Sequence, residues 1–371
     1  MKTLDRYIAG NFLYGYIIAL AVMLGMFLAV DLFLHLDEFA EHAELGMMTV
    51  LNNIIHYYTA RAVLWFRDLG GVIIVIAAVF SMARLTRNNE LIAIMASGVS
   101  LKRVLAPILF LALLLTGLVV AVQEAVIPRI SGELTRKHDQ LAGDAAYDLW
   151  FIGDAHGNLL CCPRYQEREQ TMYHPLIILR EKEADIWRVV GRIQAQRAVY
   201  DTTRKGWVLE EGQLLVAFRP ETQQPYLTEF ERVDFYATNL NPETLPLRRW
   251  EGFKSLLSLR QLIELEQDPG TRPTELAEIA VQKHSRITTP IINLIMLMVA
   301  LPVLVCRDPR DMKTAILVSF LTTAACFTMN FLCSLYATEV FFGQVHPALF
   351  TWLPIFVFFP IALVEIDSMH T

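Results

Sequence analysis

Charged side chains are scarce in this chain, and their scarcity excludes an ordinary soluble protein. Asp, Glu, Lys and Arg account for 19% of its 371 residues, whereas soluble proteins carry about 25%. Apolar residues account for 54%. Basic residues do not outnumber acidic ones, 32 against 38, so the formal net charge is -6. Because nucleic-acid binding usually needs a basic patch, we expect an integral membrane protein with no nucleic-acid partner.

Sequence motifs for catalysis are lacking as well. The chain has no G-x-x-x-x-G-K-[ST] loop to hold nucleotide phosphates, no H-E-x-x-H zinc motif and no G-x-S-x-G nucleophile turn. Its His and Cys residues are not clustered at the spacing of a metal site. We expect no catalytic residue, no metal and no cofactor, and any ATP would be hydrolysed by a separate subunit.

Cysteine is rare and forms no recognisable framework. The five cysteines show no spacing typical of a zinc site or of a disulfide-rich fold. Cys161 and Cys162 are neighbours, and the sequence leaves two interpretations open. They are ordinary strand residues, which we favour, or they form a strained vicinal disulfide.

Long apolar runs, by contrast, are plentiful. A bilayer core needs about 20 apolar residues per helix. We predict six membrane-spanning helices, within Phe12–Leu36, Leu69–Leu85, Val104–Val126, Ile287–Val305, Ala315–Ala337 and Ala348–Val364. The first run is followed by no small-residue cleavage motif, which predicts a retained span and not a signal peptide. An amphipathic helix over Met47–Trp65 is predicted to lead into the second span, where Gly70 and Gly71 allow close helix packing.

Basic residues predict the orientation of these spans. The connection between the second and third spans is bracketed by Arg84, Arg87, Lys102 and Arg103. The connection between the fourth and fifth carries Arg307, Arg310 and Lys313. The positive-inside bias places both connections in the cytoplasm, and six spans then place both chain termini there.

The stretch from Arg129 to Arg286 is polar and predicts a soluble insert on the opposite side. Its strand patterns are Leu149–Ile152, Asn158–Cys162, Pro175–Leu179, Gln194–Tyr200, Trp207–Glu210, Leu214–Phe218 and Tyr226–Phe235. The polar turn Asp201–Gly206 predicts a hairpin. Short strands at this spacing predict a β sandwich or a jelly roll. Helices are predicted over Ser258–Gln267 and Arg272–Lys283.

The connection between the second and third spans predicts a short helix at the membrane surface. Asn88 can cap its start, and Glu90 then lies in the first turn, where the helix dipole favours a negative charge. Leu91 and Ile94 lie on one apolar face. Gly98 can supply the left-handed residue that ends a helix. The result is an amphipathic helix with one acid near its start, an element on which a partner can dock.

At these residues the chain resembles a known family. The sequence NELIAIMASGVS, followed by Lys102, Arg103 and an apolar run, is similar to the cytoplasmic coupling helix of the LptF/LptG (YjgP/YjgQ) permeases. These are the transmembrane subunits of the ABC transporter that exports lipopolysaccharide. The opening LDRYI and the pair Val30-Asp31 resemble the LptG branch more than the LptF branch. The predicted hairpin and the order of three spans, β domain and three spans are similar to the family over essentially the whole chain.

The resemblance implies an α-helical membrane protein with an inserted β domain. Six transmembrane helices (3+3) would flank a periplasmic β-jellyroll-like domain. Helices 1–3 would lie within residues 1–128, with the coupling helix at 88–98. The β domain with its connecting helices would lie within 129–286, and helices 4–6 within 287–371. The protein would be a multi-pass protein of the inner membrane with both termini in the cytoplasm.

The resemblance also implies a function and a set of partners. The chain would be a permease subunit that extracts lipopolysaccharide from the inner membrane and passes it to a periplasmic bridge. Its partners would be a homologous permease subunit, a cytoplasmic ATPase dimer, a periplasmic β-jellyroll bridge protein, lipopolysaccharide and the membrane itself. Glu90 would meet a basic residue of the ATPase, and its supporting residues would be Arg87, Leu91, Ile94, Ser97 and Gly98. Without the resemblance, Glu90 would complement the helix dipole, and the two roles are compatible.

Ionisable residues near the outer end of the first span are candidates for a lipid gate. Asp31 and His35 lie one helical turn apart, and an ionisable residue in a span is a functional hypothesis by default. Hydration at the membrane interface is the alternative. In the family the first and fifth spans form a lateral gate, and one branch carries basic residues at the outer end of the first span. This chain has Asp37, Glu38 and Glu41 there instead.

Two arginines complete the gate candidates. Arg61 and Arg67 precede the second span and could meet lipid phosphates. The alternative is pairing within the chain, of Arg67 with Asp68 or Asp31 and of Arg61 with the acidic residues that follow the first span.

Three further functions stay open at the level of the sequence. A related exporter would carry another lipid, a non-transport membrane scaffold would bind a partner only through its β domain, and a membrane hydrolase would need a nucleophile and base that the sequence does not show. Association with an ATPase subunit separates a transporter from a scaffold.

Overall fold

The computed structural model describes residues 3–36, 47–134, 146–183, 186–216, 230–242, 244–249, 252–267, 273–303, 312–341 and 344–368. The chain forms two compact units. The first, here called the membrane unit, comprises Met1–Leu36, Tyr58–Pro128 and Ala277–Thr371. The second, the β unit, comprises Asp37–Tyr57 and Arg129–Leu276.

Ten α-helices lie in the described ranges. They are α1 Thr3–Leu34, α2 Met47–Arg87, α3 Glu90–Ala96, α4 Leu101–Ala121, α5 Ile127–Leu134, α6 Thr244–Arg249, α7 Leu259–Glu266, α8 Pro273–Val303, α9 Met312–Tyr336 and α10 Pro347–Ser368. A π-helical segment, Val122–Val126, joins α4 to α5. The short strands β11 (Val340–Phe341) and β12 (Gln344–Val345) pair between α9 and α10.

Six stretches of helix are long and apolar enough to cross a membrane, which confirms the predicted number. They lie in α1, α2, the continuous run from α4 into α5, α8, α9 and α10. The amphipathic stretch from Met47 continues into the second span as a single helix. Likewise α8 joins the helix predicted to end at Lys283 to the span predicted from Ile287. The charge of Arg286 does not interrupt it, because Arg286 lies beside Glu124 of the π-helical segment.

Helix packing divides the membrane unit into inner and outer spans. The spans in α2, α4 and α8 are the most buried, whereas those in α1, α9 and α10 bury few of their side chains. Glycines allow the inner spans to approach closely. A Cβ at Gly70 would lie 2.8 Å from the Val119 side chain, and one at Gly71 would collide with Asn293. These contacts agree with the close packing predicted from Gly70 and Gly71.

The β unit contains a ten-stranded antiparallel sheet. Its strands are β1 Ala146–Gly153, β2 Leu159–Gln166, β3 Thr171–Tyr173, β4 Leu176–Glu183, β5 Ile186–Gln194, β6 Arg197–Asp201, β7 Gly206–Glu210, β8 Gln213–Val216, β9 Phe230–Arg232 and β10 Phe235–Ala237. They pair in the order β10-β7-β6-β3-β2-β4-β5-β8-β9, and β1 pairs with β2. Together with the six spans, this sheet confirms the predicted class, a helical membrane protein with an inserted β domain.

Strand prediction succeeded where turns are marked by sequence and failed where they are not. The hairpin of β6 and β7 forms as predicted, with Asp201 opposite Gly206. The single strand predicted over Gln194–Tyr200 is wrong, because the chain leaves β5 at Gln194 and enters β6 at Arg197. Backbone hydrogen bonds hold this corner, from Ala195 to the Pro175 carbonyl and from Gln196 to the Glu210 carbonyl. The strands β3 and β5 were not predicted as separate strands. Residues 217–218 and 226–229 of the last two predicted strands lie outside the described ranges. The single strand predicted over Tyr226–Phe235 is wrong, because its described part is divided between β9 and β10.

Aromatic residues lie at the centre of the core of the β unit. Trp207 is 1% exposed and packs edge-on against Tyr165 and Tyr200. Its indole N–H donates to the Leu240 carbonyl at 2.9 Å. Cys161 and Cys162 are free and buried in β2. They therefore behave as the ordinary strand residues that we favoured, and burial raises the pKa of the Cys162 thiol to about 11.

Candidate functional site

The helix α3 begins at Glu90, one residue later than a helix capped by Asn88 would begin. Asn89 adopts a left-handed conformation, with φ of 59°, and makes no side-chain capping bond. The helix therefore starts at Glu90, and the prediction that Asn88 caps it is wrong. The end is as predicted: Gly98 has φ of 81° and its N–H donates to the Met95 carbonyl. The observed helix Glu90–Ala96 is shorter than the expected 88–98.

Apolar side chains join α3 to the buried cluster of the membrane unit. Leu91 is 1% exposed and belongs to the same buried cluster as Ile8 of α1, Leu85 of α2 and Val104 of α4. Ile94 and Met95 pack against this cluster and are partly buried. Because a seven-residue helix has little stability of its own, its position depends on these contacts. A displacement of α3 would therefore act on the ends of three spans.

The other expected members of this site take supporting positions. Arg87 is exposed at the end of α2. Ser97 is exposed as well, and its hydroxyl donates to the Ile94 carbonyl at 2.6 Å. Both residues shape or flank the end of a helix, and neither contacts the Glu90 carboxylate among the described hydrogen bonds.

The Glu90 carboxylate is held by two neutral donors. The Tyr7 hydroxyl of α1 donates to its Oε2 at 2.7 Å, and the Asn88 side-chain amide donates to its Oε1 at 3.1 Å. These bonds, with the charge of Arg84 nearby, outweigh the effect of partial burial and hold the pKa of Glu90 below its ordinary value. The carboxylate is thus ionised and fixed in direction. Sequence reasoning missed Tyr7, because 83 positions separate it from Glu90 and no local pattern joins the two.

This arrangement suits the recognition of a cation from outside the chain. Within the described part of the chain, Glu90 forms no ion pair, although two donors orient it. An ionised carboxylate can accept about four hydrogen bonds, so two acceptor positions remain for an arginine or lysine. A cationic partner would add the attraction of opposite charges to its hydrogen bonds, and an arginine can donate two parallel bonds to one carboxylate.

The gate candidates on α1 are tied to α2. The Tyr58 hydroxyl donates to the Asp31 carboxylate at 3.0 Å. The His35 ring lies one turn further, with Nδ1 at 2.8 Å from the Asp31 carbonyl oxygen and 3.7 Å from its carboxylate. Both side chains are half-buried. The pairing of Arg67 with Asp31, one of our alternatives, stays a prediction.

Arg67 pairs with Asp68, as one alternative predicted. The distance from its Nε to the Asp68 carboxylate is 2.6 Å, and a second nitrogen donates to Gln123 of the π-helical segment at 3.2 Å. Arg61 lies half-buried six residues earlier on α2. The acidic residues proposed as its partners, Asp37, Glu38 and Glu41, lie outside the described residues.

A second arginine extends the Arg67 cluster across three helices. Arg286 of α8 has its Nε 3.6 Å from the Glu124 carboxylate, and Glu124 follows Gln123 in the π-helical segment. Sequence reasoning did not select Arg286, Gln123 or Glu124. The available signal was two polar residues at the end of an apolar run, and π-helical segments occur often at functional sites. Among the described residues, no group of His, Cys, Asp and Glu could hold a metal ion.

Comparison with known protein families gives a match over nearly the whole chain. The family model described as "Lipopolysaccharide export system permease LptF/LptG" matches residues 6–366 of the chain. The match covers both units and contains α3 with Glu90. No curated protein matches the chain.

Proposed function

The chain belongs to the LptF/LptG family of lipopolysaccharide export permeases, and from this premise we propose that it extracts lipopolysaccharide from the inner membrane and passes it to a periplasmic bridge. It is a multi-pass inner-membrane protein with six spanning helices. Extraction needs an energy source outside this chain, so the ATP-hydrolysing dimer is a separate cytoplasmic partner. We further propose that both termini and α3 face the cytoplasm and that the β unit faces the periplasm, which the basic residues around α3 support.

The observation that carries this proposal is the oriented Glu90 carboxylate on a helix that shares a buried cluster with α1, α2 and α4. A basic residue of the ATPase binds Glu90, and nucleotide-driven movement of the ATPase then moves α3. Leu91 transmits that movement, because it is buried in a cluster with residues of α1, α2 and α4. Arg87, Ile94, Ser97 and Gly98 keep α3 in place.

Lipid enters through the outer spans in this proposal. The helices α1, α9 and α10 bury few of their side chains, as is required of spans that face lipid or a second permease subunit. The bond between Tyr58 and Asp31 holds the outer half of α1 to α2, and we assign Asp31 and His35 to the closed state of the gate. Arg67 is held by Asp68 and Gln123 and binds lipid phosphate only if these contacts open.

The assembly we propose follows the family. The partners are a homologous permease subunit, the ATPase dimer and a periplasmic β-jellyroll bridge protein that receives the lipid from the β unit. Exposed sheet edges suit such a transfer, because an unpaired edge is a template for another strand. The opening Leu4-Asp5-Arg6-Tyr7-Ile8 and the pair Val30-Asp31 support placement in the LptG branch.

The test replaces Glu90 by Ala and by Gln in the assembled transporter. ATP-driven release of lipopolysaccharide from proteoliposomes and co-purification of the ATPase subunit are measured together, with phospholipid release as the comparison for another cargo. We expect both variants to lose most of both activities, because the partner's cation is left without its anion. Glu264→Gln, which removes an exposed carboxylate of α7, is the matched control. Unchanged release and unchanged association in the Glu90 variants would remove the coupling role.

A further inference from the structure

The Tyr7–Glu90 hydrogen bond joins α3 to the first span at its anchored end. On α1 the buried residues are Ile8, Phe12, Tyr16 and Ala19, all on one helical face in the first half of the helix. Beyond Ala19 no described residue of α1 is buried. The first span is therefore fixed to the membrane unit near Tyr7, and its other half is held mainly by partial contacts such as Tyr58–Asp31.

This geometry makes α1 a lever. The helix has 32 residues, which corresponds to about 48 Å at 1.5 Å per residue. A helix of this kind transmits a small rotation at one end to its other end, because its backbone hydrogen bonds resist bending. The bond at Tyr7 is therefore placed where a movement of Glu90 would have the largest effect on the outer half of α1.

We propose that Tyr7 is a positioning residue that orients Glu90 for the ATPase and carries the movement of the docked ATPase into the first span. The proposal rests on the coupling role of Glu90 given above. The Tyr7 hydroxyl occupies one acceptor position of the carboxylate and leaves others open, so Tyr7 remains bonded while a cation of the ATPase binds. The chain of contacts then runs from the ATPase through Glu90 and Tyr7 to α1, without passing through the α3 backbone.

The experiment is a double-mutant cycle in the assembled transporter. Tyr7→Phe removes only the hydroxyl, and Glu90→Gln removes the charge but keeps the side-chain shape. Tyr14→Phe is the matched control, because Tyr14 lies two turns further on α1 and is 60% exposed. Two quantities are measured: the affinity for the ATPase subunit, and the lipopolysaccharide released per ATP hydrolysed when the ATPase is saturating. Membrane insertion and thermal stability of each variant are compared with those of the unmodified protein.

We expect Tyr7→Phe to weaken ATPase affinity about threefold to tenfold, the effect of one ordinary hydrogen bond. Release per ATP should fall even at saturating ATPase, a change that loss of packing stability alone would not produce. In the Glu90→Gln background, Tyr7→Phe should have no further effect, since Tyr7 acts through the carboxylate. Tyr14→Phe should behave as the unmodified protein.

The possible failures are distinguishable. If Glu90→Gln reduces both quantities and Tyr7→Phe reduces neither, the role of Tyr7 is refuted while the coupling role of Glu90 stands. If the effects of the two substitutions add in the double variant, Tyr7 acts elsewhere and the inference fails. If Glu90→Gln itself changes nothing, the coupling role fails and the inference fails with it.

Discussion

Two acids, one in each unit, show opposite uses of a carboxylate. Asp154 of the β unit is 3% exposed, and its Oδ1 accepts from the backbone N–H groups of His156 and Asn158 at 3.0 and 2.7 Å. Its Oδ2 accepts from the Tyr236 hydroxyl and from the Asn158 amide. Glu90 of the membrane unit lies at the surface with one neutral donor on each oxygen. The acceptor positions of Asp154 are used inside the fold, whereas Glu90 keeps acceptor positions for a partner.

The comparison teaches how a structural acid differs from a docking acid. A buried carboxylate is tolerated only when hydrogen bonds replace its water shell, so Asp154 must be saturated and its removal must harm the fold. A surface carboxylate that is oriented but not ion-paired contributes little to stability. Such an oriented surface group is available for a partner to bind. Substitutions of acids across the chain test this distinction.

Asp154→Ala should have the largest effect on stability. It leaves the N–H groups of His156 and Asn158 and the Tyr236 hydroxyl without their acceptor in a buried site, and we expect a loss of about 3 kcal/mol. Protease susceptibility of the β unit in the detergent-purified full chain, measured over a urea series, gives this value. Asp234→Ala is the control, because its pair with Arg232 is 70 to 79% exposed. Equal losses in the two variants would contradict the structural role of Asp154.

Glu124→Ala should have an intermediate effect. Its carboxylate is half-buried beside Arg286, so its removal leaves that guanidinium poorly compensated among three helices. We expect a loss of about 1 to 2 kcal/mol, less than for a fully buried pair. Unfolding in mixed micelles of increasing SDS content, followed by helical circular dichroism, measures it. A variant as stable as the unmodified protein would show that Arg286 finds an equivalent partner.

Glu90→Ala should have the smallest effect on stability and a large effect on function. The two bonds lost are at the surface, so we expect a change below about 0.5 kcal/mol in the same SDS titration. Loss of ATPase association with unchanged stability would sharpen the contrast with Asp154. Destabilisation as large as that of Glu124→Ala would instead assign Glu90 to the fold.

The ionisation of Glu90 should also persist to lower pH than is usual for a glutamate. Its pKa is lowered by the bonds from Tyr7 and Asn88, so the stabilisation they provide is present above the ordinary pKa of about 4.5 and is lost as the pH falls through the lower folded value. Infrared difference spectra against Glu90→Gln should show the carboxylate at pH 4.5 still mostly ionised. In Tyr7→Phe the titration should move upward, and an unmoved titration would show that Tyr7 does not contact the carboxylate in solution.

Local sequence was sufficient for much of the fold and for the position of Glu90 on α3. Apolar runs identified the six spans, and the polar turn Asp201–Gly206 identified a hairpin. The acid Glu90, followed by Leu91 and Ile94 at helical spacing, identified α3. Each of these features depends on neighbours within a few residues. The start of α3 was misplaced because Asn88 and Asn89 are equally good caps by sequence, and only the left-handed backbone of Asn89 decides between them.

What the sequence by itself determined is the class of the protein, its six spans, its inserted β domain and the surface position of Glu90, because composition and periodicity record burial one segment at a time. The tertiary structure alone decided which distant groups meet. It placed Tyr7 against Glu90, Tyr58 against Asp31 and Arg286 beside Glu124. It also showed that α8 continues past Arg286, the residue at which the polar insert was predicted to end. The physical reason is that a polar group in a packed helix is stabilised by a partner that the fold brings to it from a distant part of the chain. The residues next to that group in sequence do not predict which partner this is.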